Sequence, residues 1–95
     1  SEKHENYARK VLNELENNEI RALLDNRNET IGKKIREAEL SKVPFMIIVG
    51  EKEAESNQIS VRRHQQGDQG SMDAPSFIAL VKEEMSKSIS KFASE

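Results

Sequence analysis

Apolar positions recur at helical spacing in several stretches of the chain and predict amphipathic helices. The first stretch covers residues 2–17, where Ser1 is the predicted N-cap and the apolar side is Tyr7, Ala8, Val11, Leu12 and Leu15. The second covers residues 30–41, with Ile31, Ile35, Ala38 and Leu40 facing inward. The last begins at Asp73 and Pro75, and its inner positions are Phe77, Ile78, Val81, Met85, Ile89 and Phe92.

Three other segments have the patterns of strands. Residues 20–24 are a short apolar run, and residues 45–49 form a continuous apolar run stopped by Gly50, typical of a strand buried on both faces. Residues 58–64 alternate, with Ile59 and Val61 on one side and Arg62 on the other. Segments 51–55 and 67–70 have the composition of solvated loops. Helices that alternate with strands predict an α/β fold, a mixed β-sheet flanked by helices and containing parallel strands with right-handed crossovers.

A βαβ unit begins with a strand, whereas the first predicted element here is a helix. We therefore expect one strand to precede Ser1 and to be absent from this chain. The 95 residues fit a single domain, 1–95. The longest apolar run, residues 43–49, is too short to span a bilayer, so no membrane contact is expected.

Composition narrows the classes of chemistry that the chain can support. Its net charge of −2 gives no global support for nucleic-acid binding, and the absence of Cys excludes thiolate zinc sites and Cys nucleophiles. His4 and His64 lack the spacing of metal ligands. The carboxylates of segment 51–55 either chelate a cation or form a solvated loop, and the second alternative is the commoner one. We find no nucleophile paired with a base and expect no catalysis from this chain.

Local charge is more informative than the net charge. Residues 27–42 carry a net charge of +2, and Arg62 lies on the strand face opposite Ile59 and Val61. One interpretation is a solvated sheet edge. The other is a polar surface that identifies unpaired bases, in which Arg donates to guanine O6 or N7 and a nearby carboxylate such as Glu53 accepts from base N–H groups.

Five collinear segments resemble the anticodon-binding domain of class II aminoacyl-tRNA synthetases. They are residues 25–29, 31–40, 42–53, 59–63 and 70–73. The Lys-Ile-Arg-Glu-Ala-Glu-Leu string at 34–40 and the Gly-Ser-Met-Asp string at 70–73 are most similar to the threonyl branch. The resemblance extends from residue 1 to about 85 and leaves 86–95 as a variable helical tail. It implies a sheet of about five strands, which in the family begins with an apolar strand just before the position of Ser1, joined to an upstream catalytic domain.

The resemblance also implies which residues face the anticodon, namely Asn28, Lys42, Lys52, Glu53 and Arg62. Threonine anticodons carry G and U at their second and third positions. Glu53 and Arg62 would read the guanine, Asn28 a uracil edge, and Lys42 a phosphate or base carbonyl. The structural alternatives are a turn residue for Asn28, a charge that favours the helix dipole for Lys42, and a mutual salt bridge for Glu53 and Arg62.

The expected partners follow from the same resemblance. They are the anticodon loop of tRNA(Thr) and the catalytic domain of a parent synthetase in the cytoplasm. ATP, Mg and Zn would serve that catalytic domain, and no cofactor is expected in this one. The alternative function is a protein-interaction or dimerisation module, in which the vacant strand position pairs two chains as a homodimer.

Overall fold

The computed structural model describes the backbone of residues 2–93 and the side chains of residues 3–87. The helices are α1 (Glu2–Asn17), α2 (Ile31–Leu40), α3 (Glu51–Ser56) and α4 (Ala74–Ala93). The strands are β1 (Phe45–Ile48), β2 (Ile59–Arg63) and β3 (Gly67–Met72). The α/β class and the three predicted helical segments are confirmed, but the predicted inward positions Ile31 and Met85 are each 53% exposed, and α2 buries none of its residues. The proposed cap at Ser1 and the inward positions Ile89 and Phe92 lie outside the described residues and side chains.

The three strands form an antiparallel sheet in the order β1-β2-β3. The prediction of parallel strand pairs is therefore wrong for this sheet. Residues 20–24 form no strand in the described structure, because a strand is stable only where a neighbour pairs with its backbone. The predicted loop at 67–70 is also wrong, since these residues are part of β3 and pair with β2 across a bulge.

α3 replaces the loop that was predicted for residues 51–55. Its six residues contain one apolar side chain, Ala54, so no hydrophobic period marks the helix in the sequence. The helix begins after Gly50, whose N–H donates to Oε1 of Glu53 at 2.7 Å. The carboxylate thus accepts from the N-cap N–H, a donor that has no partner within the helix. Its negative charge also lies near the positive end of the helix dipole, which is a favourable interaction.

The hydrophobic core lies on one face of the sheet, under α1 and α4. Its buried cluster joins β2 to both helices and consists of Val11, Leu15, Ile59, Val61, Phe77 and Ile78. Phe45 meets Phe77 edge to face at 5.3 Å between ring centroids, and the Arg63 guanidinium lies 5.0 Å from the Phe45 ring centroid. Arg63 thus belongs to the core side of β2, where it also pairs with Glu84 at 3.3 Å.

β1 is only half-buried along its length, so the prediction of burial on both faces is wrong. In the described sheet β1 is an edge strand whose outer side has no neighbour. In the segment between α1 and α2, Leu23 is 96% exposed, and at the end of α2 Leu40 is 78% exposed instead of facing inward. These exposed apolar side chains show that the apolar pattern of the chain exceeds what this sheet and its helices bury.

α1 ends in a Schellman motif without a glycine. The N–H of Ile20 donates to Leu15 O and the N–H of Glu19 to Glu16 O, both at 3.0 Å. Glu19 has φ 62°, the left-handed conformation that glycine adopts with least strain. Leu15 belongs to the buried cluster and Ile20 packs against it, so packing holds the motif in place.

Candidate nucleic-acid interface

The face of the sheet opposite the core carries the polar half of β2. Because side chains alternate along a strand, Ser60 and Arg62 face away from the buried Ile59 and Val61. Across the sheet, Arg62 is paired in register with Met46 of β1 and Asp68 of β3. This face therefore combines apolar β1 side chains with a strand of hydrogen-bonding groups.

α2 lies beside this face and lines with it a cavity of about 610 Å³ that is wide open to solvent. Five lining residues belong to α2 and the others to the segment after it, β2, the β2–β3 turn and the start of β3; they are Gly32, Ile35, Arg36, Glu39, Leu40, Lys42, Arg62, His64, Gln65 and Gly67. Three of the side chains are cationic and one is a carboxylate when His64 is neutral. The cavity is thus locally positive in a chain whose net charge is −2. Apolar walls with a cationic rim suit a planar base attached to phosphate.

Arg62 is the best placed base reader in this cavity. Within the described part of the chain its guanidinium forms no ion pair, and the carboxylate across from it, Asp68, instead accepts from the N–H of Gly70 at 2.8 Å. A Cβ on Gly67 would lie 3.9 Å from Nη2 of Arg62, so the guanidinium passes close above the glycine backbone. Its donors therefore remain available to a ligand, as a bidentate contact to a base requires.

Lys42 lines the same cavity from the end of α2. It has φ 58°, and it completes a second Schellman motif in which its N–H donates to Glu39 O at 3.1 Å and that of Val43 to Ala38 O at 3.0 Å. The structural alternative, a cation at a helix C-terminus, is thus present. Glycine would adopt this left-handed conformation with less strain than Lys42 does. The presence of a lysine at this position therefore favours a role for its side chain in addition to ending the helix.

Glu53 and Lys52 lie on α3, outside the cavity. Oε2 of Glu53 is 3.4 Å from the Ser60 hydroxyl, which places this carboxylate beside the row of β2 side chains that continues to Arg62. Oε1 accepts from Gly50, so the carboxylate is held in one orientation while Oε2 keeps acceptor capacity. The alternative salt bridge between Glu53 and Arg62 does not form among the described residues. Lys52 is exposed.

Asn28 is separated from these groups. It lies in an exposed bend before α2, where the N–H of Glu29 donates to Arg27 O at 2.9 Å, whereas Lys42 follows the other end of the helix. The ten residues of α2 span about 15 Å, so Asn28 and Lys42 cannot contact the same base. The turn alternative for Asn28 is therefore present in the structure.

The segment before α2 is ordered by a small ion-pair network. Arg27 pairs with Asp25 at 2.8 Å and with Glu37 of α2 at 2.7 Å. Hydrogen bonds from the guanidinium lower the pKa of both carboxyl groups below their ordinary values, and the two carboxylates in turn raise the pKa of Arg27. Arg27 is thereby committed to other protein groups, while Arg62 is not.

The residues that surround the cavity can be compared with a family defined by sequence. The family model described as "Anticodon binding domain" matches residues 1–84, most of the chain. This chain belongs to the anticodon-binding domain family. The membership agrees with a face that presents a held carboxylate, apolar walls and a guanidinium without an ion pair among the described residues, because anticodon bases are unpaired and expose both their faces and their edges.

The curated relatives indicate a branch of the family. The chain is 57% identical over 94 residues to a threonine–tRNA ligase of Flavobacterium johnsoniae, with 97% of this chain covered and 14% of the relative. It is 49% identical over 92 residues to the threonine–tRNA ligase of Parabacteroides distasonis, with the same two coverages. The threonine–tRNA ligase of Chlorobium phaeobacteroides is 55% identical over 83 residues, 86% of this chain and 13% of the relative. The chain thus spans about one seventh of the length of the relatives that it matches.

The structure adds residues that the sequence pattern did not single out. Arg36, Glu39, His64 and Gln65 line the cavity together with Arg62. The alternation of β2 places Arg62 and His64 on one side, but nothing in the sequence shows that α2 covers that side.

Among the described residues no group of three or more His, Asp or Glu side chains is arranged to hold a metal ion. In the same part of the chain no helix has the length and apolar character that a membrane crossing requires.

Proposed function

We propose that this anticodon-binding domain reads the anticodon of tRNA(Thr) for a threonine–tRNA ligase, with the ligation carried out by a catalytic domain elsewhere in the enzyme. The observation that carries the proposal is the guanidinium of Arg62, which forms no ion pair with any described residue and lies in the cavity between α2 and the sheet. The identity to threonine–tRNA ligases over nearly the whole chain supports the branch. In this proposal ATP, Mg and Zn serve the catalytic domain, and the enzyme acts in the cytoplasm.

The roles of the two main groups follow from their positions. Arg62 donates to guanine O6 and N7 from inside the cavity, and Glu53, held by Gly50 and beside Ser60, accepts from a base N–H with its Oε2. Side chains two residues apart on a strand are separated by roughly 7 Å, about the width of a base. Lys42 contributes charge on the cavity rim. Asn28 and Lys52 lie farther out and would contact neighbouring nucleotides.

The test is a fluorescence anisotropy titration of this chain with the threonine anticodon stem-loop and with a stem-loop whose middle guanine is replaced by adenine. We expect tighter binding of the cognate loop. Arg62→Ala should cost ~1–3 kcal/mol with the cognate loop and less with the altered one, since it removes a base contact. Arg21→Ala is the matched control because Arg21 is exposed and outside the cavity. Equal affinity of the wild-type chain for both loops would refute base reading.

A second function, self-association, is favoured by a different observation. β1 is apolar and its outer edge has no neighbour in the described sheet, and Leu23 is 96% exposed. An apolar sheet edge of this kind accepts a strand from another chain, and we propose a second copy of this chain as that strand's source. Light scattering should then show a dimer that Met46→Lys weakens. A monomer at millimolar concentration would contradict this proposal.

A further inference from the structure

α2 is held weakly by packing although it forms one wall of the cavity. It has ten residues, none of them buried, and isolated helices of this length are marginal in water. Several of its polar contacts are local in sequence. The Lys33 N–H donates to the Thr30 hydroxyl at 3.2 Å, and Lys34 donates to Asp25 O at 3.1 Å. Arg27 also pairs with Glu37. These contacts stabilise the helix itself without fixing its position over the sheet.

The contact that joins α2 to the far side of the cavity is made by Glu39. Its Oε1 accepts from the backbone N–H of Gln65 at 2.7 Å and lies 3.2 Å from Nδ1 of His64. Among the side-chain hydrogen bonds of α2 in the described structure, this is the one that reaches the β2–β3 turn. Glu39, His64 and Gln65 are all lining residues, so the contact closes one side of the cavity.

The turn that Glu39 holds is conformationally strained. Gln65 has φ 63°, a left-handed conformation that costs a non-glycine residue free energy. Two backbone bonds also hold the turn: the Gln66 N–H donates to Arg63 O at 3.0 Å and the His64 N–H donates to Pro44 O at 2.9 Å. The carboxylate oxygen gives the Gln65 N–H a charged acceptor in this conformation. Arg62 precedes the turn and Gly67, over which its guanidinium passes, follows it. The position of the turn therefore determines the position of the base-reading guanidinium.

We propose that Glu39 is a positioning residue: its carboxylate clamps the β2–β3 turn to the end of α2 and thereby sets the shape of the base-binding cavity. The inference deepens the proposed function and rests on it for its binding test. Because Glu39 is an anion beside a ligand that is itself anionic, simple electrostatics and the clamp predict opposite effects of its removal on RNA affinity.

Glu37 supplies a matched control on the same helix. Its side chain is 42% exposed against 46% for Glu39, and it pairs with Arg27 on the side away from the turn. Either alanine substitution removes one negative charge. Electrostatics alone predicts that both bind the stem-loop as tightly as the wild-type chain or more tightly. If the clamp operates, Glu39→Ala should raise Kd about tenfold, while Glu37→Ala should not raise it.

Glu39→Gln separates the hydrogen bond from the charge. Its amide oxygen still accepts from the Gln65 N–H, so Kd should stay within about twofold of wild type. Amide hydrogen exchange measured by NMR gives a readout without RNA. The Gln65 amide should be protected in the wild-type chain, Glu39→Gln and Glu37→Ala, and should exchange at least about tenfold faster in Glu39→Ala.

The two readouts distinguish failure of the clamp from failure of the proposed function. Unchanged or tighter binding by Glu39→Ala, or an equally protected Gln65 amide in that variant, would overturn the clamp. If the wild-type chain does not distinguish the two stem-loops, anticodon reading fails, and the exchange data alone then decide whether Glu39 holds the turn. Thermal unfolding of each variant confirms that the comparison is made between folded chains.

Discussion

Replacing Lys42 by glycine should stabilise the fold while it weakens RNA binding. Lys42 occupies the left-handed position that ends α2, with φ 58°, and its side chain lines the cavity. An L-residue in this conformation is disfavoured by about 1–2 kcal/mol, of which glycine recovers about 1 kcal/mol after its larger chain entropy is included. The lost attraction between the Lys charge and the helix dipole is worth about 0.5 kcal/mol. The net effect is a stabilisation of about 0.5 kcal/mol.

The same substitution removes a cation from the rim of the cavity. We expect the cognate stem-loop to bind about fivefold more weakly, and the slope of log K against log salt to fall by about one if Lys42 contacts a phosphate. Urea unfolding measures the first effect and anisotropy titrations at several salt concentrations measure the second. A variant that is more stable but binds RNA more weakly indicates that the Lys42 side chain serves binding. A variant whose affinity is unchanged indicates that Lys42 serves only to end the helix.

Glu19→Gly is the matched control. Glu19 occupies the equivalent position at the end of α1, with φ 62°, and it lies outside the cavity. Its carboxylate is unfavourable at a helix C-terminus, so the stabilisation should be larger, about 1–1.5 kcal/mol, without loss of RNA affinity. If Lys42→Gly is stabilising but leaves both Kd and the salt slope unchanged, Lys42 serves only the helix end. If it destabilises, the strain argument is refuted.

Two further substitutions test a hydrogen bond of α1 and the ion-pair network around Arg27. The Tyr7 hydroxyl donates to Gln58 O at 2.6 Å, so Tyr7→Phe should lower the free energy of unfolding by ~1 kcal/mol; an unchanged urea midpoint would show that water replaces the bond. Arg27 lowers the pKa of Asp25 and of Glu37, so their ionised forms stabilise the fold above about pH 4, and this contribution disappears as the pH falls through the lowered values. Arg27→Gln should therefore shrink the difference in urea midpoint between pH 7 and pH 3, and an unaltered difference would disprove the linkage.

Three of the four helices in the described structure were predictable because their signals are local, and the buried face of α1 followed from the same spacing, whereas the predicted inner face of α2 is not buried. The spacing of Val11 and Leu15, the start of the second helix at Thr30 and the start of the last helix at Asp73 each depend on residues within one helix or one turn of it. α3 was missed because its six residues hold too little apolar pattern. Its signal is the carboxylate of Glu53 three residues after Gly50, which is weak without an N-cap side chain.

The candidate site also has a part that was predictable from the sequence and a part that was not. The alternation of β2 was enough to turn Arg62 away from the core, and the resemblance to anticodon-binding domains supplied Lys42, Glu53, Asn28 and Lys52. The sequence contained no sign that Lys42 and Arg62 share a cavity while Asn28 lies at the opposite end of α2. Such distances depend on how a helix sits on a sheet, and side-chain periodicity carries no information about that.

By itself, the sequence determined three helical segments, the buried face of α1, the polar side of β2 and the membership of the family, since each depends on the order and spacing of residues along the chain. Tertiary structure alone decided that the sheet is antiparallel, that residues 20–24 join no strand of the described sheet and that Glu39 reaches the turn at Gln65. Strand pairing depends on which neighbour is available to complete the backbone hydrogen bonds. A contact between residues 26 positions apart depends on the packing of the whole fold.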